Sequence, residues 1–163
     1  MIPDQLREIP VVSALEARDS SALTRGVLHA GQLALYIDSG KILDVCGYLK
    51  KEQQYTRLSG ITAVDWFPTE PRFEVVYLLH SMVGRKERLR LKCRVAGDTP
   101  EIDSVTSVWR GANWYEREVY DLFGIVFRGH PDLTRIMMPD IWEGHPLRKD
   151  FPVYGQKYTY KDE

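Results

Sequence analysis

The spacing of apolar residues between positions 32 and 51 predicts a strand followed by a helix. Apolar residues alternate with smaller or amphipathic ones from Gln32 to Ile37, which is the pattern of a strand. After Ser39 and Gly40 the apolar residues recur every three or four positions, as they do along one face of a helix. These helix-face residues are Ile42, Val45, Cys46 and Leu49. Upstream, two short helices are predicted at residues 4–9 and 13–18.

Three further strands are predicted between residues 58 and 95. Residues 58–66 are rich in β-forming side chains and stop before the prolines at positions 68 and 71. Residues 73–81 are apolar on both faces, which is typical of an interior strand that is covered on both sides. Residues 87–95 alternate, so that their basic side chains form one row on one face. This basic row consists of Arg88, Arg90, Lys92 and Arg94.

The basic row has two interpretations. We favour a solvated strand face whose charges discourage pairing at a sheet edge. No aromatic residues are interleaved with the basic ones, as they would be for stacking on nucleic-acid bases. The alternative is a surface that meets phosphates or an acidic partner.

The charged helix predicted at residues 113–124 is well specified by its ends. Asn113 and Glu116 have the spacing of a capping box, and Gly124 can adopt the left-handed conformation that ends many helices. The apolar stripe of this helix consists of Tyr115, Val119, Leu122 and Phe123. The charged residues are expected to form a solvated face, in which Arg117 pairs with Asp121 four positions later. That face consists of Glu116, Arg117, Glu118 and Asp121.

The order of these elements predicts an α+β domain at residues 1–127. It would contain about four mostly antiparallel strands packed with helices, including a short helix from Asp103 or Ser104 through Trp109. Residues 128–163 are expected to form an extended C-terminal tail. Prolines recur in it at positions 131, 139, 146 and 152, so neither a long helix nor a central strand is expected there.

The tail nevertheless carries many large apolar side chains. A disordered segment normally has few of them, because it has nowhere to bury them. We therefore expect a partner protein, rather than the domain's own surface, to cover these side chains. They are Leu133, Ile136, Met137, Met138, Ile141, Trp142, Leu147 and Phe151.

Composition and charge narrow the function classes. The 163 residues are 44% hydrophobic and carry a formal net charge of -1 at pH 7. This near-neutrality weakens general binding to nucleic acid or anionic membranes, which favours a basic excess. No apolar run approaches the roughly 20 residues that cross a bilayer, and the N-terminus has no signal-peptide core. The chain is expected to be cytoplasmic, or held at a membrane by another subunit.

The sequence contains no recognisable motif for catalysis or metal binding. Cys46 and Cys93 are far apart and are expected to be buried free thiols, since an iron–sulfur cluster typically needs four thiolates. The histidines lack metal-binding spacing, and His130 and His145 are expected to have structural or interface roles. Motifs for a nucleophilic serine, a phosphate loop and a dinucleotide turn are absent from the sequence.

Three ordered blocks in the last third of the chain carry a specific resemblance to a known family. They read ERExxDLFG at residues 116–124, GHPDLxRI at 129–136 and GxPLRKD at 144–150. Together they resemble the signature of the thirty-kilodalton subunit of respiratory complex I, which is also called NADH:quinone oxidoreductase. Thr134 departs from the basic residue or proline that is usual at its position.

The resemblance implies a non-catalytic scaffold in the peripheral arm of that complex, docked on the large hydrogenase-like subunit that helps to form the quinone pocket. NADH, FMN, iron–sulfur clusters and quinone would belong to the whole complex, with no cofactor in this chain. The complex would couple electron transfer from NADH to quinone with proton movement, on the cytoplasmic side of a bacterial inner membrane. The expected partner-interface residues are Glu116, Arg117, Glu118, Asp121, His130, Leu133, Arg135, Ile136, Met137, Met138, Trp142, Pro146, Leu147, Arg148, Lys149 and Asp150.

Two other classes remain open on the sequence. The same blocks occur in membrane-bound hydrogenases and in plastid-type dehydrogenases that take electrons from ferredoxin, where the chain would still be a scaffold. A freestanding module that binds RNA through the basic row is the more distant alternative. Co-purification with a large iron–sulfur complex, or with nucleic acid, would distinguish these classes.

Overall fold

A computed structural model describes residues 2–83, 86–97 and 99–152, which form four α-helices and seven strands. The helices are α1 (Asp4–Arg7), α2 (Pro10–Arg18), α3 (Ile42–Lys51) and α4 (Ala112–Phe123), and a 3-10 turn at Ser39–Lys41 precedes α3. The strands are β1 (Leu23–His29), β2 (Gln32–Ile37), β3 (Arg57–Asp65), β4 (Phe73–His80), β5 (Arg88–Val95), β6 (Glu101–Asp103) and β7 (Val126–Arg128).

Five of these strands form the main sheet, in the order β1-β2-β5-β4-β3. Its neighbouring strands are antiparallel except for β2 and β5, which run parallel. The predicted α+β class and mostly antiparallel sheet are confirmed, with five strands in place of about four. The strands β6 and β7 form a separate parallel pair.

The additional strand in the main sheet is β1, which the apolar pattern does not predict. Its side chains do not alternate regularly between buried and exposed positions. Gly26 lies in its middle, where an added Cβ atom would come within 2.9 Å of the Leu6 side chain from α1. Close packing of α1, together with pairing to β2, therefore fixes β1 as a strand.

The core lies on one face of the main sheet. Alternating side chains of the central strands, including Leu35, Tyr77 and Leu91, are fully buried there with Leu49 from α3. The interior position predicted for β4 is confirmed by its pairing with both β3 and β5. Cys46 and Cys93 belong to this core as the free, buried thiols that the sequence predicts. Burial raises the pKa of both thiols, so they remain protonated.

The basic row lies on the opposite face of the sheet. Its alternation is confirmed, because the apolar residues of β5 are buried and the basic ones are exposed or half-buried. However, β5 pairs with β2 on one side and β4 on the other, so it is an interior strand. The interpretation that these charges protect a sheet edge is therefore wrong.

The prediction of a short helix from Asp103 or Ser104 through Trp109 is also wrong. The amide of Ser104 donates to the carbonyl of Arg128 at 2.9 Å, which continues the pairing of β6 with β7. Turns rather than a helix follow, and in the first of them the carbonyl of Val105 accepts from the amides of Val108 and Trp109. The backbone before α4 thus bonds to a distant strand, and this pairing overrides local capping preferences.

Candidate partner interface

The helix α4 is fixed at both ends by the β6–β7 pair. Residues 101–103 precede the helix and pair with residues 126–128, which follow it. The predicted helix end is confirmed: Gly124 has a φ of 73°, and its amide donates to the carbonyl of Tyr120. A side chain at this position would also lie within 2.5 Å of His145 and Arg148. Glycine is therefore needed both for the turn and for the approach of the tail.

Glu116 ties α4 to the segment before it. Oε1 of Glu116 accepts from the amide of Val105 at 2.7 Å, and Oε2 bonds to the hydroxyl of Ser104 at 2.6 Å. The helix begins at Ala112, with Gly111 as an N-cap that makes no side-chain hydrogen bond. The predicted capping box is therefore wrong, because the Glu116 carboxyl makes a long-range contact. Ser104 is a hydrogen-bond partner of Glu116 that sequence analysis did not identify.

Enclosure changes the titration of Glu116. Burial raises the pKa of Glu116 to about 7, although its two hydrogen bonds offset part of that shift. Nε2 of His130 lies 3.9 Å from Oε2 of Glu116, and both side chains are fully enclosed. Nδ1 of His130 accepts from the amide of Asp132, so Nε2 carries a proton and donates to the carbonyl of Asn113. The hydrogen bond from His130 to Asn113 joins the start of the tail to the first turn of α4.

Asp121 is the centre of the attachment between tail and helix. Its Oδ2 accepts from three successive amides, those of Ile136 at 3.0 Å, Met137 at 2.7 Å and Met138 at 2.9 Å. Its Oδ1 accepts from the Arg135 guanidinium at 2.6 Å. Burial opposes ionisation, but these amides and Arg135 outweigh it and lower the pKa of Asp121. A buried, ionised carboxylate therefore holds this part of the tail by its main chain.

The solvated face predicted for α4 is wrong in most of its members. Glu116 and Asp121 are both fully buried, whereas Glu118 is exposed. Arg117 does not pair with Asp121; it donates to the carbonyls of Thr134 and Arg135, each at 3.1 Å. The tail covers this side of the helix, so its main-chain groups replace both water and the expected ion pair.

A second carboxylate holds the distal part of the tail. Asp65, at the end of β3, accepts from the amide of Lys149 at 2.8 Å and from Arg72 at 2.7 Å. Arg72 in turn binds Asp150 at 2.6 Å. Burial opposes ionisation of Asp65, yet these bonds hold the pKa of Asp65 well below its usual value. Sequence analysis missed Asp65 and Arg72, because no local pattern reports contacts with residues about 80 positions away.

Arg148 and His145 pack against the last turn of α4. Arg148 Nε donates to the carbonyl of Phe123 at 2.6 Å, and its guanidinium lies 5.2 Å from the ring centre of Phe73. His145 Nδ1 donates to the carbonyl of Asp121 at 2.9 Å. Burial and nearby cations lower the pKa of His145. Both side chains thus satisfy carbonyls that a helix end leaves without helical partners.

The attached tail presents apolar side chains to solvent. Met137 is 57% exposed even though its amide is bound to Asp121. Trp114 is exposed on the neighbouring part of α4. The other exposed apolar side chains of the tail are Ile136, Ile141 and Leu147. The surface formed by Trp114 and these tail residues, here called the tail surface, offers apolar contact on a backbone that is already fixed.

The structure divides the predicted interface residues into three groups. Some bind within this chain, and join α4 to the segment before it or the tail to α4, β3 or β4, namely Glu116, Arg117, Asp121, His130, Arg135, Arg148 and Asp150. Others are exposed, namely Glu118, Ile136, Met137, Leu147 and Lys149. The half-buried remainder is Leu133, Met138, Trp142 and Pro146. Contact of any of these residues with a partner remains a prediction.

Metal binding and membrane crossing each need a recognisable arrangement of residues, and neither arrangement is present in residues 2–83, 86–97 and 99–152. These residues bring together no group of three His, Cys, Asp or Glu side chains that could hold a metal ion. The same ranges contain no helix with the length and apolarity needed to cross a membrane. The groups gathered around α4 offer hydrogen bonds, charge and apolar contact.

Replacing Arg148 with alanine is expected to destabilise the isolated chain by about 1–3 kcal/mol, because a charged hydrogen bond to a helix-end carbonyl is lost. This differs from the sequence-based expectation, in which Arg148 is a partner-interface residue. Urea unfolding measures the change. Lys149→Ala is the matched control, since Lys149 is exposed and contacts Asp65 through its amide. Equal stability of both variants would contradict the intramolecular role of Arg148.

Comparison with known proteins gives one consistent family. The family model described as "Respiratory-chain NADH dehydrogenase, 30 Kd subunit" matches residues 35–157. A protein of Geotalea uraniireducens that is named as an NADH-quinone oxidoreductase subunit is 49% identical over 151 residues, which cover 93% of this chain and 86% of that protein. The protein of the same name from Geobacter sulfurreducens is 50% identical over 126 residues, or 77% of each chain.

A solved structure shows the same similarity. The chain described as Nqo5 of the trypsin-resistant fragment (1-134) aligns with a TM-score of 0.65 and 32% sequence identity. The alignment covers 74% of this chain and 97% of that one. The similarity therefore includes most of the α+β fold as well as the sequence blocks.

Proposed function

Because the chain belongs to the family of the 30 kDa subunit of respiratory-chain NADH dehydrogenase, we propose that it is a non-catalytic scaffold in an NADH-quinone oxidoreductase complex. It docks on the large hydrogenase-like subunit that helps to form the quinone pocket. NADH, FMN, iron–sulfur clusters and quinone are held by other subunits during proton-coupled electron transfer. The chain lies in the peripheral arm, on the cytoplasmic side of the membrane, and is held there through the complex.

The attachment of the tail at Asp121 is the observation that carries this proposal. Met137 and Ile136 point exposed apolar side chains outward, while their amides are bound by a buried carboxylate. Binding by a flexible segment costs conformational entropy at the moment of association. Here the chain's own contacts already order the backbone, so less of that cost falls on the interface.

We assign the partner contacts to the exposed and half-buried apolar residues of the tail. A large permanent interface is richer in apolar contact than a transient one. The charged residues Glu116 and Asp121 act on the partner indirectly, by fixing the segments that meet it. Residues 1–127 serve as the scaffold domain and 128–163 as the segment that follows the partner, as proposed from the sequence; residues 153–163 of that segment lie outside the described residues. The apolar anchors are Ile136, Met137, Met138, Trp142 and Leu147.

Replacing Met137 with aspartate tests this assignment. The side chain is exposed, so the isolated chain should keep its melting temperature, while a charge is placed in the apolar interface. We expect the amount of chain recovered with the affinity-purified complex to fall about tenfold, the change that 1.4 kcal/mol of binding free energy produces. Immunoblotting of the chain against a core subunit measures this recovery.

Leu28→Asp is the matched control for that experiment. Leu28 is 54% exposed and lies on β1, outside the tail surface. It should leave recovery unchanged. Equal recovery of the wild-type chain and the Met137 variant would contradict the proposed interface, as would equal losses from both variants.

A further inference from the structure

The face of the main sheet opposite the core gathers cations from three strands. Residues paired directly across neighbouring strands point to the same side of a sheet. Lys92 pairs with Tyr36, and Tyr36 with Arg25, which extends the basic row of β5 to β1. Arg88 pairs with His80, and His80 with Arg57, which extends it to β3. The cations of this face, here called the basic sheet face, are Arg25, Arg57, Arg88, Arg90, Lys92 and Arg94.

The charge of the basic sheet face is unbalanced. Among the described strand residues on this side, Glu74 is the only carboxylate, and it is almost fully buried under Lys92 and Arg94. The whole chain carries a net charge of -1, so positive charge is concentrated on this face. Burial, followed by the charges of Arg88 and Arg57, lowers the pKa of His80. A local positive potential of this kind attracts an acidic surface.

Several of these cations are held in place before any partner binds. Lys92 bonds to Glu74 at 2.8 Å and lies 5.4 Å from the ring centre of Tyr36. The Arg94 guanidinium lies 5.5 Å from the ring centre of Trp66 and bonds to the carbonyl of Pro71. Prior ordering of long side chains reduces the entropy lost on binding. The arrangement is therefore closer to a formed recognition surface than to a set of mobile solvated charges.

The same contacts favour a protein over a nucleic acid as the occupant. Arg25 and Lys92 lie over the ring of Tyr36, and Arg94 over that of Trp66, so cations already occupy ring surface that base stacking would use. Small and branched apolar residues separate the cations, because Ala34 lies opposite Arg90 and Val76 opposite Lys92. Arginine with apolar contact is typical of protein interfaces.

We propose that the basic sheet face is a second docking surface, which receives an acidic surface of a neighbouring subunit in the same complex. This inference rests on the proposed membership of a complex, but it uses a face distinct from the tail surface. The chain would thus contact its assembly through apolar side chains on the tail and through charge on the sheet.

Charge reversal at Arg88 and Arg90 tests the inference. Both side chains are exposed, so the Arg88→Glu/Arg90→Glu variant should keep the melting temperature of the isolated chain. In the complex purified from its native membrane, recovery of this variant should fall about tenfold. The neutral Arg88→Gln/Arg90→Gln variant should show a smaller loss of recovery. As the salt concentration rises, recovery of the wild-type chain should fall more steeply than recovery of the neutral variant.

A matched control carries the same change of charge elsewhere. Lys51 and Arg110 are exposed cations that lie outside the sheet, so Lys51→Glu/Arg110→Glu should be recovered like the wild-type chain. An Arg90→Lys variant adds a direct readout, because a carbodiimide joins a lysine amine to a contacting carboxylate without a spacer. We expect mass spectrometry to find this lysine joined to an Asp or Glu of a different subunit.

Full recovery of the Arg88→Glu/Arg90→Glu variant would overturn the inference. So would cross-links only to a second copy of this chain, or release of nucleic acid or anionic phospholipid instead of a subunit when the charges are reversed. If the Met137→Asp variant is lost while the charge-reversed one is retained, the inference fails and the proposed function stands. If both variants are retained, both fail.

Discussion

Replacing Asp121 with alanine is expected to release residues 135–138 from α4 and to lower the free energy of unfolding by about 3–5 kcal/mol. The substitution leaves three amides and the Arg135 guanidinium without their shared acceptor. It also opens a cavity at a position that is fully buried. This loss exceeds what one hydrogen bond contributes, because a buried charge has lost its partner.

Urea unfolding and hydrogen exchange measure the two parts of this effect. The amides of Ile136, Met137 and Met138 should exchange faster in the variant. The exchange rates of amides in the central strands should change only as far as the free energy of global unfolding changes. Asp121→Asn should recover only part of the lost stability, since an asparagine side chain has one acceptor oxygen where aspartate has two. Glu118→Ala, an exposed change on the same helix, is the control. Slow exchange at residues 136–138 in the alanine variant would show that other contacts hold the tail.

Glu116 is expected to make the isolated chain less stable as the pH rises from 4.5 towards 7. Its pKa in the folded chain is about 7, against 4.5 for an unperturbed glutamate. The folded chain therefore binds a proton that the unfolded chain has released. Stability from this group is fully present below pH 4.5 and is lost as the pH passes through 7, by up to about 3 kcal/mol.

The variant Glu116→Gln isolates this contribution. Glutamine keeps an acceptor oxygen for the amide of Val105 and is neutral at every pH, as the protonated glutamate is. Its stability should match that of the wild-type chain near pH 4.5 and exceed it near pH 8. Taking the difference between the two proteins removes the contributions of His80 and His145, whose lowered pKa values act in the opposite direction. A difference that does not vary with pH would contradict the burial of a protonated Glu116.

Sequence analysis predicted well those elements in which the spacing of apolar residues matches the pattern of burial. In α3, Ile42, Val45, Cys46 and Leu49 are all buried as their spacing requires. The alternation of β5 and the apolar character of β4 likewise follow directly from burial on one or both faces. In each case a single segment carries the complete pattern, so no knowledge of the rest of the fold is needed.

The predictions that failed concern groups whose role depends on a distant segment. In the sequence, Glu116 and Asp121 look like charged residues on an exposed helix face. In the fold, residues 104–105 donate hydrogen bonds to Glu116 and residues 135–138 donate to Asp121, and both carboxylates are buried. The strand β1 depends in the same way on its pairing with β2. The resemblance to the thirty-kilodalton subunit identified the important blocks, but it did not show that several of their charged residues bind within this chain.

The attachment of residues 136–138 by main-chain amides has a consequence for evolution. Any amino acid except proline supplies an N–H group, so Asp121 holds this segment whatever side chains it carries. Substitutions here can therefore change the side chains that the tail surface presents without releasing the segment from α4. A library of variants at positions 136–138 should therefore contain many folded chains that differ in the side chains they expose.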